Sequence, residues 1–138
     1  MRLALALLAF VMAGCSAPED LHVVDDEVKR FHDMFNANEY EIMYVNAADH
    51  LQAHTRKNIF VSTIDSWYRE FGPVRKSKRT AWTVEANTSD GTLVTVKYHT
   101  EFANGPADEE FTYQLHFHSA MLGHYMVHGE HPHAPSVR

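Results

Sequence analysis

A single cysteine in 138 residues excludes an intrachain disulfide framework. The six glycines stand at 14, 72, 91, 105, 123 and 129, too scattered to cradle a phosphate. No H-E-x-x-H helix and no nucleophile–base spacing is visible. The longest apolar run, Leu3 to Ala13, falls well short of the ~20 residues a helix needs to cross a bilayer. Lysine and arginine number 12 against 18 acidic residues, and the net charge of −6 argues against nucleic-acid binding. There are no internal repeats, and the length excludes a multidomain enzyme. What is present, 45% apolar and 22% charged residues, is the composition of one folded globular domain.

The N-terminus reads as an export signal. Arg2 supplies a positive start, and the apolar run from Leu3 to Ala13 has the length of a secretory h-region. Its ending, Met12-Ala13-Gly14-Cys15, resembles a bacterial lipobox. That resemblance implies a lipoprotein signal peptide over 1–14 and acyl chains on the sulfur and amine of Cys15. Several chains on one residue anchor stably, where one chain holds marginally. Ser16 after the cysteine implies an outer-membrane address facing the periplasm. Residues 15–20 then form the lipidated cysteine and a short tether, and the domain sits close to the bilayer.

Within 21–128 the first half is helical. Leu21, Val24, Val28, Phe31 and Phe35 recur at three- and four-residue spacing after Pro18-Glu19-Asp20, a good helix start. Asn36-Ala37-Asn38 breaks the pattern. A short helix is expected around Glu39 to Asn46, and one further turn over Asp49 to Ala53. Thr55 is the expected cap of a third stripe, Phe60, Ile64, Trp67 and Phe71, which Gly72-Pro73 ends.

After Pro73 the period becomes two. Trp82, Val84 and Ala86 alternate with polar residues, as do Val94, Val96 and Tyr98, and Phe111, Tyr113, Leu115 and Phe117. A three-residue loop Ser89-Asp90-Gly91 would pair Val84 with Val96 and Trp82 with Tyr98 and keep apolar residues on one face. Asn104-Gly105-Pro106 makes the next turn, and a last strand is expected over about Leu122 to His128. Helices followed by about four antiparallel strands make an α+β domain, with the helices on one face of a curved sheet. Residues 129–138 read as a flexible His-rich tail.

The stretches Phe71-Gly72-Pro73-Val74, Val94-x-Val96-x-Tyr98-x-Thr100-x-Phe102-Ala103, Glu110-x-x-Tyr113 and Leu122-x-x-Tyr125 resemble small bacterial secreted proteins of unknown function. The resemblance implies the cystatin-like fold of the nuclear transport factor 2 superfamily and supplies no catalytic residue. Relatives in that superfamily often keep a pocket between sheet and helix, and catalytic members place Asp or His inside it. Here the expected inward positions are nearly all apolar, which counts against an enzyme.

Eleven histidines are present, six of them at 116, 118, 124, 128, 131 and 133. A last loop at Ala120-Met121-Leu122 would set His118 opposite His124 with His116 nearby, a candidate Zn or Cu site. A loop at Ala120-Met121 alone would disperse them, and the plainer alternative is a solvated outer face. Arg75, Lys76, Lys78 and Arg79 read as edge-strand protection, or as a contact for anionic lipid. The aromatic set Trp67, Phe71, Trp82, Tyr98, Phe111, Tyr113 and Phe117 reads as core. The expectation is a membrane-anchored envelope lipoprotein, acting without catalysis through an envelope protein partner or in envelope maintenance. The alternatives are a module for a small apolar ligand between sheet and helices, and a metal-binding domain.

Overall fold

The computed structural model describes residues 19–129. The signal segment, residues 15–18 of the expected tether, and His131 and His133 of the tail lie outside the described residues, whereas Glu19 and Asp20, expected in the tether, already belong to the first helix. Four helices precede four strands: α1 (Glu19–Asn36), α2 (Tyr40–Val45), α3 (Asp49–His54), α4 (Lys57–Phe71), β1 (Val74–Thr88), β2 (Gly91–Phe102), β3 (Gly105–His116) and β4 (Ser119–Gly129). The strands form one antiparallel sheet in the order β1-β2-β3-β4, curved and unclosed. This is the expected α+β arrangement.

The α1 stripe is buried throughout, from Leu21 to Phe35. Asn38 takes a positive φ of 58° and turns the chain into α2. The fourth helix starts one residue later than a Thr55 cap predicts: Arg56 is its N-cap, and Thr55 instead closes α3. Gly72, at φ 76°, ends α4 as expected, and a Cβ there would also crowd Ala103. Phe60 and Ile64 are buried, whereas Trp67 and Phe71 are only half-buried, because they lie where α4 passes over the edge of β4 and the β2–β3 turn.

The register departs from the expected one at both outer hairpins, through β-bulges. Val84 pairs with Val94 and Trp82 with Val96, and the turn is Ser89-Asp90. One extra residue between Glu85 and Thr88 keeps the apolar residues on one face, as the longer loop would have done. In the last hairpin the turn is Phe117-His118, with His116 opposite Ser119, so β4 starts earlier than Leu122. Tyr125 and Val127 point inward as expected, and so do Ala120 and Leu122. No single register allows both sets, and the bulge at Gly123, opposite Thr112 and Tyr113, does.

Two aromatics expected in the core lie outside it. Trp82 is 43% exposed on the stretch of β1 that no helix covers. Phe117 is 88% exposed at the tip of the last hairpin. The filled centre is Phe31, Phe35, Phe111 and Tyr113 with Val94 and Val96.

Candidate functional site

The alternation that buries Phe111 and Tyr113 also carries Ala107 and Glu109 inward from β3. The same parity on β2, Tyr98 and Phe102, carries Thr100 inward. His32 stands on α1 between Phe31 and Phe35, so the helix stripe delivers an imidazole to the same layer. These three are the buried polar residues among those described. The expectation of a nearly all-apolar inner face is thereby corrected.

They bond to one another. Glu109, 1% exposed, meets His32 Nε2 through its Oε2 at 2.8 Å. The same oxygen accepts the Thr100 hydroxyl, and Oε1 accepts the Tyr125 hydroxyl at 2.6 Å. His32 Nδ1 faces Ser77 Oγ at 3.5 Å. Toward solvent, Asp25 accepts from Arg79 Nη1 at 2.6 Å and from the Tyr98 hydroxyl at 2.5 Å. Burial, helped by nearby carboxylates, pushes the phenols of Tyr98, Tyr113 and Tyr125 upward, so all three remain neutral, and Tyr98 and Tyr125 donate to Asp25 and Glu109. Among the described residues every buried side-chain nitrogen and oxygen has a partner.

This cluster holds an acid and a base side by side, but its polar atoms are consumed by each other. A general acid or base must be within hydrogen-bond reach of a substrate atom. Neither His32 nor Thr100 lines one of the main hollows of the described surface, although Tyr125 and Glu109 each stand in the wall of one. A groove of about 380 Å³ runs between α1, the α2–α3 segment and the start of β4, lined by Met34, Met43, Val45 and Met121 among others. A pocket of about 290 Å³ opens between α3, α4 and β4 over Leu51, Phe60, Ile64, Trp67 and Tyr125, with His50, His54 and His124 also in its wall. A third hollow, on the outer face, is lined by Lys97, His99, Asp108 and His128. His32 lines none of these three.

The candidate metal ligands are not brought together in the expected way. His116 pairs with Ser119, His118 occupies the turn, and His124 pairs with Thr112. The turn falls three residues earlier than the expected loop, so His118 and His124 are not cross-strand neighbours. Among the described residues no group of three His, Cys, Asp or Glu side chains is placed to hold a metal ion. Of the basic cluster, Arg79 is spent on Asp25, while Arg75, Lys76 and Lys78 are exposed on the edge strand.

No protein-family model matches the chain, and no significant match is found among curated proteins. Among solved structures, that of Aln2 from a Streptomyces species is similar, with a TM-score of 0.52 and 12% identity over 82% of this chain and 92% of that one. A likeness at this identity concerns the fold, which is compatible with a cystatin-like or nuclear transport factor 2-like arrangement.

Proposed function

We propose that the chain is a lipid-anchored, non-catalytic module of a bacterial cell envelope that works by contact with an envelope protein. One observation carries the contact: the apolar face of the sheet runs on past its helical cover. Trp82 and Val84 are exposed directly across from Val96 and Val94, which are buried. They stand two residues apart on an edge strand whose outer side is unpaired. Isolated surface apolar residues need no explanation, but adjacent ones on an open edge invite a partner strand. The closed Glu109–His32 cluster supports a structural role for the groups that would otherwise suggest catalysis. The anchor rests on the sequence alone, Ala13-Gly14-Cys15 after an apolar run.

Two measurements test this. Cys15→Ser should release the protein from the membrane fraction, and an intact mass of the wild-type mature chain without acyl groups would refute the anchor. Crosslinking in intact envelopes should capture a partner with the wild-type chain and lose it with Trp82→Ser/Val84→Ser. An unchanged crosslinking pattern would sink the contact.

A second reading rests on the pocket over Trp67. Its walls join Leu51, Phe60, Ile64, Trp67 and Tyr125 to two threonines and three histidines, with Trp67 edge-on to Tyr125 at 5.3 Å between ring centroids. Small-molecule sites are mostly apolar concavities of this kind. Mass spectrometry under native conditions is expected to show a co-purifying small apolar molecule that disappears in Trp67→Ala. A wild-type spectrum of bare protein removes this reading.

A further inference from the structure

Tyr113 carries a group that the fold does not use. Four tyrosines are buried: Tyr40, Tyr98, Tyr113 and Tyr125. The hydroxyls of the other three donate to Asn38, Asp25 and Glu109. That of Tyr113 bonds to no described residue. The Tyr113 ring stacks on Phe111 at 6.1 Å between centroids, a contact that a phenylalanine would make as well. Burying a hydroxyl without a partner is costly, so its retention in the core needs a reason.

The hydroxyl opens into a hollow. Among the described residues every sealed side-chain nitrogen and oxygen has a partner, so an oxygen without one is not sealed. Tyr113 is only 2% exposed, and the hollow it lines is the groove of about 380 Å³ between α1, the α2–α3 segment and the start of β4. Glu27, Arg30 and Met34 line it from α1. Their spacing of three and four puts them on one face, beside the buried stripe. Met43 of α2 and Met121 of β4 stand in the other walls. Burial first, and then the Glu27 carboxylate, raises the Tyr113 phenol well above its ordinary range, so it stays protonated and able to donate. Arg30 Nη1 lies 3.8 Å from Glu27 Oε1 and is largely exposed.

These groups describe a ligand. A hydroxyl group can accept from the Tyr113 phenol and donate to the Glu27 carboxylate at once. An anionic ligand would instead meet Glu27 as a like charge. The three thioethers suit an apolar body, because methionine adapts its shape and its sulfur makes favourable contacts with aromatic rings. The volume is at the small end of the range for ligand sites.

We propose that this groove binds a small neutral aromatic molecule bearing a hydroxyl group, which the Tyr113 hydroxyl and the Glu27 carboxylate recognise. The site is separate from the pocket over Trp67, and it depends on neither reading above.

Isothermal titration of the full chain with 2-naphthol is expected to give a dissociation constant below about 0.1 mM. Tyr113→Phe should weaken binding about three- to tenfold, the worth of one hydrogen bond. The same substitution should leave the affinity for 2-methylnaphthalene, which has the same shape without the hydroxyl, unchanged. With isotope-labelled methionine methyls, 2-naphthol should shift the signals of Met34, Met43 and Met121. That of Met126, exposed on the outer face of β4, should stay in place. Tyr113→Phe should unfold at the wild-type urea midpoint or above it. Wild-type binding weaker than about 0.1 mM, an equal loss for both probes, no loss for either, or unmoved groove methyls overturns the proposal. So does an earlier unfolding midpoint for Tyr113→Phe, since the hydroxyl would then serve the fold. Binding lost in Trp67→Ala and kept in Tyr113→Phe would place the ligand in the other pocket, and likewise overturns it.

Discussion

Glu109→Ala is expected to lower the stability of the domain by about 3–5 kcal/mol, the range for breaking a buried pair by deleting one partner. Three groups lose their acceptor together: His32 Nε2, the Thr100 hydroxyl and the Tyr125 hydroxyl. Each buried polar group left unpaired costs about 1–3 kcal/mol, and the effects are not additive. Against a typical stability of about 5–15 kcal/mol the loss is large. Glu109→Gln keeps a carbonyl acceptor and should lose clearly less. Urea denaturation at constant m-value measures both. A loss below about 1 kcal/mol for Glu109→Ala would mean that water already reaches the cluster, and a catalytic role for His32 and Glu109 would then return.

Phe111→Ala should cost a similar amount, about 3–5 kcal/mol, for a different reason. The ring is fully buried and has five aromatic neighbours: Phe31, Tyr125, His32, Tyr98 and Tyr113, at centroid distances of 5.0, 4.8, 5.8, 5.9 and 6.1 Å. Its removal opens a cavity that neighbours on four different elements cannot close by moving together. Phe111→Leu, which refills much of the volume, should recover most of the loss. If the alanine variant unfolds at the wild-type denaturant midpoint, this ring is not the centre of the core.

The helices are legible in the sequence because their stripes are long and end on clear stops. Five apolar residues from Leu21 to Phe35 and the pair Gly72-Pro73 leave little room for another reading. Strand faces are legible too, but not their partners. A bulge adds one residue without a distinctive local pattern, and the ones beside Glu85 and at Gly123 shift both outer hairpins. The early turn at Phe117-His118, and not the bulge, removes the His118–His124 pairing. The polar cluster leaves a fainter signal. Counting back by two from Phe111 reaches Glu109, and counting back by two from Phe102 reaches Thr100. Both read as polar residues in polar surroundings, Glu109 between Asp108 and Glu110. His32 lies three residues before Phe35 and four after Val28, on the buried side of its helix. Exposure of Trp82 is not legible at all, since alternation shows which face a residue takes and not how far the covering helices extend.

The meeting of α1 with β3 bears on the order in which the molecule can assemble. Each strand pairs with its immediate successor, so the sheet can form hairpin by hairpin through short loop closures. The contact between His32 and Glu109 instead joins residues 77 apart in the chain. Closing so long a loop carries an entropic cost that grows with the logarithm of its length, and the reward arrives only once the strands are paired. The first of the described helices is thus among the last to find its seat. Until then its stripe from Leu21 to Phe35 lacks the cover of the sheet and has only the neighbouring helices, through Tyr40 and Tyr68 against Phe35. A nascent chain in that condition is open to aggregation and suited to capture by a chaperone.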